Sequence, residues 1–343
     1  RGLGDVYKRQ EGLRGSMVAL VTPFKNGRID EHAFVSLCER QIRCGSTALV
    51  PCGTTGEAPT LTHEEQARLV QLAVRTARGR VPVIAGAGSN CTATTMAMVA
   101  EAERLGADGV LCIVPYYNRP TQEGLYRHFE TVQAATTLPI ILYDVPKRTG
   151  TTLELETITR LAQLPNIVGL KEATGDLARA GRLRHLVDEG VRLQNLLRPG
   201  DLARAGRLRH LVDRDFLRLC GDDGLLGPFL ALGSQGCISV VANVVPTLCA
   251  AMHDAWVNRD TVRFQDMVER LDALNTALFI ETNPVPAKWV LARLGLIRGD
   301  LRLPLTPLSE SHRDAVLRAV QSILPAEALA AKGRDKSLPG AAE

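Results

Sequence analysis

At 343 residues, with 45% hydrophobic and 23% charged content, the chain has the make-up of a globular protein long enough for one barrel-sized domain and a smaller appendage, or for two ordinary domains. A net charge of +4, only 4% aromatic residues and no basic run interleaved with aromatics argue against a nucleic-acid surface. No run of about 18 apolar residues is available to span a membrane, and the 8 cysteines include no Cys-x-x-Cys pair, which favours a reducing, cytoplasmic setting over a disulfide framework or a zinc site.

Residues 1–14 begin with Arg1–Gln10, a stretch without initiator Met or periodicity, and are expected to be a non-native or disordered leader. From Ser16, apolar runs alternate with amphipathic stretches. The expected strands are Met17–Val21, Ala48–Cys52, Pro82–Ala85, Gly109–Val114, Ile140–Val145, Ile167–Lys171, Phe216–Cys220 and Cys237–Val241. His63–Thr76, Thr92–Leu105 and Gln122–Ala135 carry a helical period between them. Strands and helices in this alternation predict an α/β fold, a (β/α)8 TIM barrel over residues 15–258. A doubly wound open sheet would carry a glycine-rich phosphate loop after its first strand, and Thr22-Pro-Phe-Lys25 is not one. Further helices near Thr261–Ile280, Pro286–Leu294 and Ser309–Ile323 predict a C-terminal helical domain over 259–325, and 326–343 reads as a disordered tail.

The block Gly175–Asp188 recurs unchanged at Gly200–Asp213. Two identical copies are not a solenoid, whose repeats drift and number at least about three. Residues 176–200 therefore read as a recent tandem duplication or a sequence-assembly error, an insertion that sets a duplicated helix between strands six and seven. Each copy presents an apolar face, Leu177/Leu183/Leu186/Val187 or Leu202/Leu208/Leu211/Val212, so either fits the slot of the sixth barrel helix.

Barrel enzymes carry their chemistry at the carboxyl ends of the strands. The sixth run, Ile167–Leu170, is apolar or small throughout and ends in Lys171. An amine placed there, away from water, suits a nucleophile. The turn Gly53-Thr54-Thr55-Gly56-Glu57 after strand two offers N–H groups and hydroxyls to a small carboxylate. Tyr116-Tyr117-Asn118-Arg119-Pro120 follows strand four, Tyr143-Asp-Val-Pro-Lys-Arg148-Thr-Gly ends strand five, and Gly221-Asp-Asp223 ends strand seven. Singly, each has an ordinary explanation: a lysine snorkelling or paired with Glu172, a plain turn, a core tyrosine, a solvated arginine. Together they supply an amine nucleophile, hydroxyls to move protons, N–H groups for one carboxylate and a guanidinium for another. No His/Asp/Glu cluster has metal-ligand spacing, so the expected chemistry is a metal-free, class I type of aldol reaction.

Val21-Thr-Pro-Phe24, Gly53–Glu57, Pro115–Pro120, Tyr143–Gly150 and Gly169–Asp176 strongly resemble the dihydrodipicolinate synthase family, of the pyruvate-dependent class I aldolase and N-acetylneuraminate lyase superfamily. Ser239–Asn243 and Asn283-Pro-Val-Pro-Ala-Lys-Trp289 match as well, so the resemblance runs from Leu13 to Leu324 apart from the repeated block. It implies a lyase condensing pyruvate with L-aspartate 4-semialdehyde in lysine and diaminopimelate biosynthesis. Lys171 would form the pyruvate imine, with no other cofactor. Tyr143, Thr55 and Tyr117 would relay protons, Tyr117 by reaching the neighbouring subunit across a tight homodimer. Gly53, Thr54 and Thr55 would hold the pyruvate carboxylate with the backbone around Gly221 and Ile238, and Arg148 would take the carboxylate of the semialdehyde. His63, Asn90 and Tyr116 would belong to a lysine-effector site. There, however, Thr94 stands where regulated members carry an acidic residue, and Gln66 where some carry a second histidine, so lysine inhibition is expected to be weak or absent. The repeated block begins near the surface that joins two dimers, which leaves a homotetramer open. Two alternatives stand beside this one. The first is another aldolase of the same fold and lysine (N-acetylneuraminate lyase or a 2-keto-3-deoxy sugar acid aldolase), and the second is a non-catalytic barrel disabled by the duplication.

Overall fold

The computed structural model of the chain describes residues 13–196 and 216–335. In order, its elements are β1 (Gly15–Ala19), α1 (Glu31–Arg43), β2 (Ala48–Val50), α2 (His63–Ala77), β3 (Ile84–Gly86), α3 (Thr92–Arg104), β4 (Gly109–Ile113), α4 (Gln122–Ala134), β5 (Ile140–Asp144) and α5 (Leu155–Leu161). There follow β6 (Ile167–Glu172), α6 (Leu177–Leu196), β7 (Leu217–Cys220), α7 (Leu226–Ala231), β8 (Gly236–Ser239), α8 (Pro246–Val257), α9 (Thr261–Leu278), α10 (Val285–Arg293) and α11 (Glu310–Asp335). Every expected strand is present, each within three residues of its expected ends. β5 and β6 are buried at every position, on both faces, as parallel strands covered by helices must be. The helices begin where side chains can hold their first N–H groups. Thr62 and Glu65 form a reciprocal capping box at α2, while Asp30 and Thr121 cap α1 and α4.

The chain divides into two compact units. Within Ala87–Gln235, β4 pairs with β5, β5 with β6 and β6 with β7, all parallel. Within Gly12–Gly86 and Gly236–Glu343, β8 pairs with β1 and β1 with β2, again parallel, and Leu49 bridges to Val83 beside β3. In that second unit Asn243 ties the end of β1 to the stretch after β8. Its Nδ2 donates to the Ala19 carbonyl at 2.7 Å, and its Oδ1 accepts from Val21 N at 3.2 Å.

Two terminal expectations change. Leu13, inside the supposed leader, is fully buried. At the other end, α11 continues through Pro325 to Asp335, where a tail was expected from 326. A proline inside a helix removes one backbone hydrogen bond. The stretch after it is held by tertiary contact instead: Glu327 is buried, and its carboxylate accepts from Thr247 N at 3.0 Å and Leu248 N at 2.7 Å, capping α8. The first copy of the repeated block forms the start of α6, with Ala180, Leu183 and Val187 buried. The second copy, Gly200–Asp213, lies outside the described residues, as do residues 1–12 and 336–343.

Candidate active site

In the register of the parallel pair β5–β6, Tyr143 stands opposite Lys171 and Asp144 opposite Glu172. Successive strand residues point to opposite faces, so Lys171 and Tyr143 share one face and the two carboxylates share the other. Lys171 is 6% exposed and Tyr143 7%. The Nζ of Lys171 lies 4.3 Å from the centroid of the Tyr143 ring. Among the described residues no carboxylate comes within ion-pair distance of this amine. Pairing with Glu172, the ordinary explanation for a lysine here, is not made. Gly221, the first residue after β7, donates its N–H to the Glu172 carbonyl at 2.7 Å. A Cβ at this position would lie 3.0 Å from the Lys171 Cε and 2.8 Å from the Ala173 Cβ, so close approach to the lysine stem requires glycine.

On the opposite face, Arg179 from α6 reaches both carboxylates, with Nη2 2.7 Å from Asp144 Oδ2 and Nη1 3.5 Å from Glu172 Oε2. Asp144 Oδ2 also accepts from Thr152 Oγ1 and Leu153 N. Burial pushes the Glu172 carboxyl above the usual carboxylate range, against the opposing pull of Arg179. Behind the amine and the tyrosine there is thus a buried ionic brace that fixes both strand ends.

Tyr116 and Tyr117 follow β4. Tyr117 is 88% exposed, in a left-handed backbone conformation (φ 71°), with its N–H donating to the Thr149 carbonyl. The Asn118 side chain donates to the Asn90 carbonyl, which joins the Tyr116 loop to Asn90. Arg148 sits in the helical turn Pro146–Thr149 directly after β5, with its side chain exposed.

In the other unit, the turn Gly53–Glu57 follows β2. Its Gly56, Glu57 and Ala58 N–H groups bond to turn carbonyls, whereas those of Thr54 and Thr55 make no such bond among the described residues. Cys52 and Glu57 both adopt positive φ (58° and 56°), a strain that surrounding contacts must hold. Those contacts are numerous. Gly86 donates to the Pro51 carbonyl, and a Cβ on it would collide with the Cys52 carbonyl oxygen at 2.1 Å. Lys288 of α10 meets Glu57 at 2.5 Å with both side chains fully buried. The Arg302 N–H donates to Glu57 Oε2 at 3.3 Å. Burial holds the Lys288 pKa below the ordinary lysine range, with Glu57 opposing. Finally, Asn283 Nδ2 donates to Thr55 Oγ1 at 3.0 Å, with both residues buried. Ile238 lies within β8, 1% exposed and opposite Met17. His63 opens α2 exposed, and Gln66 one turn on donates to the Ala58 carbonyl at 3.1 Å.

Arg179, Glu57, Asn283 and Lys288 were not singled out from the sequence as functional. The signal was present for three of them, because Glu57 closes the Gly53–Glu57 motif and Asn283 and Lys288 belong to the Asn-Pro-Val-Pro-Ala-Lys-Trp motif. Among the described residues no group of three or more His, Cys, Asp or Glu side chains is placed to hold a metal ion.

The chain matches the Dihydrodipicolinate synthetase family over residues 12–195 and 198–323. It is 48% identical over 305 residues to the 4-hydroxy-tetrahydrodipicolinate synthase of Rhizobium meliloti, covering 89% of this chain and 96% of the relative. It is 49% identical over 311 residues to that of Hyphomonas neptunium, with 91% and 98% covered. The solved structure of the 4-hydroxy-tetrahydrodipicolinate synthase from Methylacidiphilum fumariolicum superposes with a TM-score of 0.83 at 37% identity, covering 94% of this chain and 99% of that one. That likeness shows the fold, a (β/α)8 barrel with a C-terminal helical segment.

Proposed function

The chain belongs to the dihydrodipicolinate synthetase family, and on that footing we propose that Lys171 carries pyruvate as a Schiff base. The activity is that of a 4-hydroxy-tetrahydrodipicolinate synthase, a lyase of the class I aldolase type that joins pyruvate to L-aspartate 4-semialdehyde. The observation that carries the assignment to Lys171 is its 6% exposure, with Nζ over the Tyr143 ring and no carboxylate partner among the described residues.

The steps follow from the amine. The neutral Nζ attacks the keto carbon of pyruvate, and loss of water leaves an iminium that acts as an electron sink. A methyl proton is removed and the electron pair moves into the enamine. The enamine carbon adds to the aldehyde, whose oxygen takes up a proton. The amine of the semialdehyde then displaces Lys171 as the ring closes, returning the lysine. We assign the proton transfers to Tyr143, Thr55 and Tyr117. The pyruvate carboxylate falls to Thr54 and Thr55, with Gly53 and the backbone near Gly221 and Ile238, and the carboxylate of the semialdehyde to Arg148. The N–H groups of Thr54 and Thr55, which make no bond within their own turn, support this assignment.

Tyr117, exposed at 88% and fixed by its backbone, supports a homodimer in which it serves the neighbouring subunit. Light scattering distinguishes a dimer from a tetramer, and a fully active monomer would remove that role from Tyr117. No helix among the described residues is long and apolar enough to cross a membrane. Six of the 8 cysteines are buried, where a thiol behaves as a small hydrophobe, which supports a cytoplasmic setting.

Borohydride reduction in the presence of pyruvate tests the central assignment. A pyruvate-derived mass on the peptide bearing Lys171 is the expected result. A modified peptide elsewhere, or none from folded protein, overturns it.

A further inference from the structure

Thr55 is reached from far along the chain by the side chain of Asn283, which lies between α9 and α10. The bond runs in a definite direction. Asn283 Nδ2 donates and Thr55 Oγ1 accepts, at 3.0 Å, with the two residues 7% and 3% exposed. A hydroxyl has one proton to give and lone pairs to receive. With one lone pair engaged by the amide, the hydroxyl proton of Thr55 is turned away from Asn283 and toward whatever acceptor the reaction supplies. The next helix reinforces the arrangement, because five residues beyond Asn283 the buried Lys288 grips Glu57, two residues beyond Thr55. The stretch Asn283–Lys288 therefore holds the threonine turn at two points, one by charge and one by hydrogen-bond direction.

We propose that Asn283 is a positioning residue that sets Thr55 as a proton donor, so that the helical segment after the barrel takes part in the chemistry through that hydroxyl. The inference rests on the assignment of Thr55 to the proton relay. It makes a claim that a merely structural asparagine would not. What matters at position 283 is the direction of the hydrogen bond, not its existence. A carboxylate in the same place would accept the Thr55 proton and reverse the bond, while filling nearly the same volume.

The test is a double-mutant cycle on the whole enzyme, with Asn283→Asp, Thr55→Val and the pair, read as kcat and KM across pH. Asn283→Asp is expected to lower kcat by about a hundredfold near neutral pH, the usual scale for losing a positioned proton donor, with a smaller change in the KM for pyruvate. The loss, taken as a ratio to the unaltered enzyme, should shrink as pH falls, because a protonated carboxyl can again donate to Thr55. In the Thr55→Val background, Asn283→Asp should change kcat little, since the group it acts through is gone. Asn283→Ala removes the donor without burying a charge, and it decides the same cycle if the aspartate variant does not fold. An equal loss with and without Thr55 overturns the proposal, as does an aspartate variant whose deficit is independent of pH. Borohydride trapping on the unaltered enzyme separates the two levels of failure. An adduct on Lys171 together with an additive cycle overturns the role of Asn283 alone, whereas no adduct overturns the Schiff-base assignment and this inference with it.

Discussion

Arg179 Nη2 and Asp144 Oδ2 stand 2.7 Å apart, with the two side chains 10% and 0% exposed. The arginine belongs to the repeated block and the aspartate to the strand residue after Tyr143, so this pair fixes the first copy as the sixth barrel helix. Removing one partner of a buried pair leaves the other charge uncompensated, at about 3–5 kcal/mol. Arg179→Ala is therefore expected to lower the denaturation midpoint sharply. Arg204→Ala, the same change in the second copy, should leave it in place. Equal destabilisation by both, in parallel denaturant titrations, would show that the slot is shared.

Gly221 bears on the nucleophile directly. An alanine methyl there would press on the Lys171 Cε and the Ala173 Cβ, at 3.0 and 2.8 Å. Displacing a reacting group by about 1 Å can cost on the order of a hundredfold in rate. Gly221→Ala should form the pyruvate adduct at least about tenfold more slowly, with circular dichroism unchanged. An adduct formed at the original rate would place the lysine stem elsewhere.

Acid should weaken the fold through two histidines. Burial holds the pKa of His253 down to about 4, and that of His128 likewise to about 4. Neither Nε2 has a hydrogen-bond partner among the described residues. The unfolded chain takes up these protons as pH falls through about 6.5, and the folded protein only near 4. Their contribution is thus complete above pH 6.5 and is lost between there and 4, roughly 3 kcal/mol for each. Glu172 opposes the trend, since a carboxyl whose pKa is raised by burial gains stability as pH falls. In denaturant titrations from pH 7 to 4, His253→Leu should show a flatter decline than the unaltered protein. A decline of the same slope would acquit His253.

The effector residues make a separate prediction. Tyr116 and Asn90 are joined through Asn118, but Thr94 brings no carboxylate to the α-amine of a lysine ligand, and the Gln66 side chain is engaged with the Ala58 carbonyl. Lysine should inhibit weakly or not at all in a coupled assay. Inhibition in the micromolar range would show that the site recognises lysine by other groups.

What could be seen in the sequence was local. Lys171 at the end of an unbroken apolar run, the Gly-Thr-Thr-Gly turn and the Tyr143 strand end each announce themselves within ten residues, because strand burial and turn chemistry are short-range properties. The pairings that hold them were not visible in this way. Asn283 and Thr55 are 228 positions apart, Lys288 and Glu57 are 231, and nothing in local periodicity selects one buried polar partner over another. The tail expected from 326 fails for the same reason. Its composition is local, and here the bonds of the distant Thr247 and Leu248 N–H groups to Glu327 hold the helix onward.

The contacts that seat the first copy come from Arg179, Ala180, Leu183 and Val187, all inside the repeated block. The instruction for the seated part of that helix is therefore written twice in the sequence. An in-frame loss of residues 176–200 joins Gly175 to Asp201 and restores the block Gly175–Asp188 letter for letter, without the Glu189–Leu196 part of α6, and leads through Arg214 and Asp215 to Phe216 and β7.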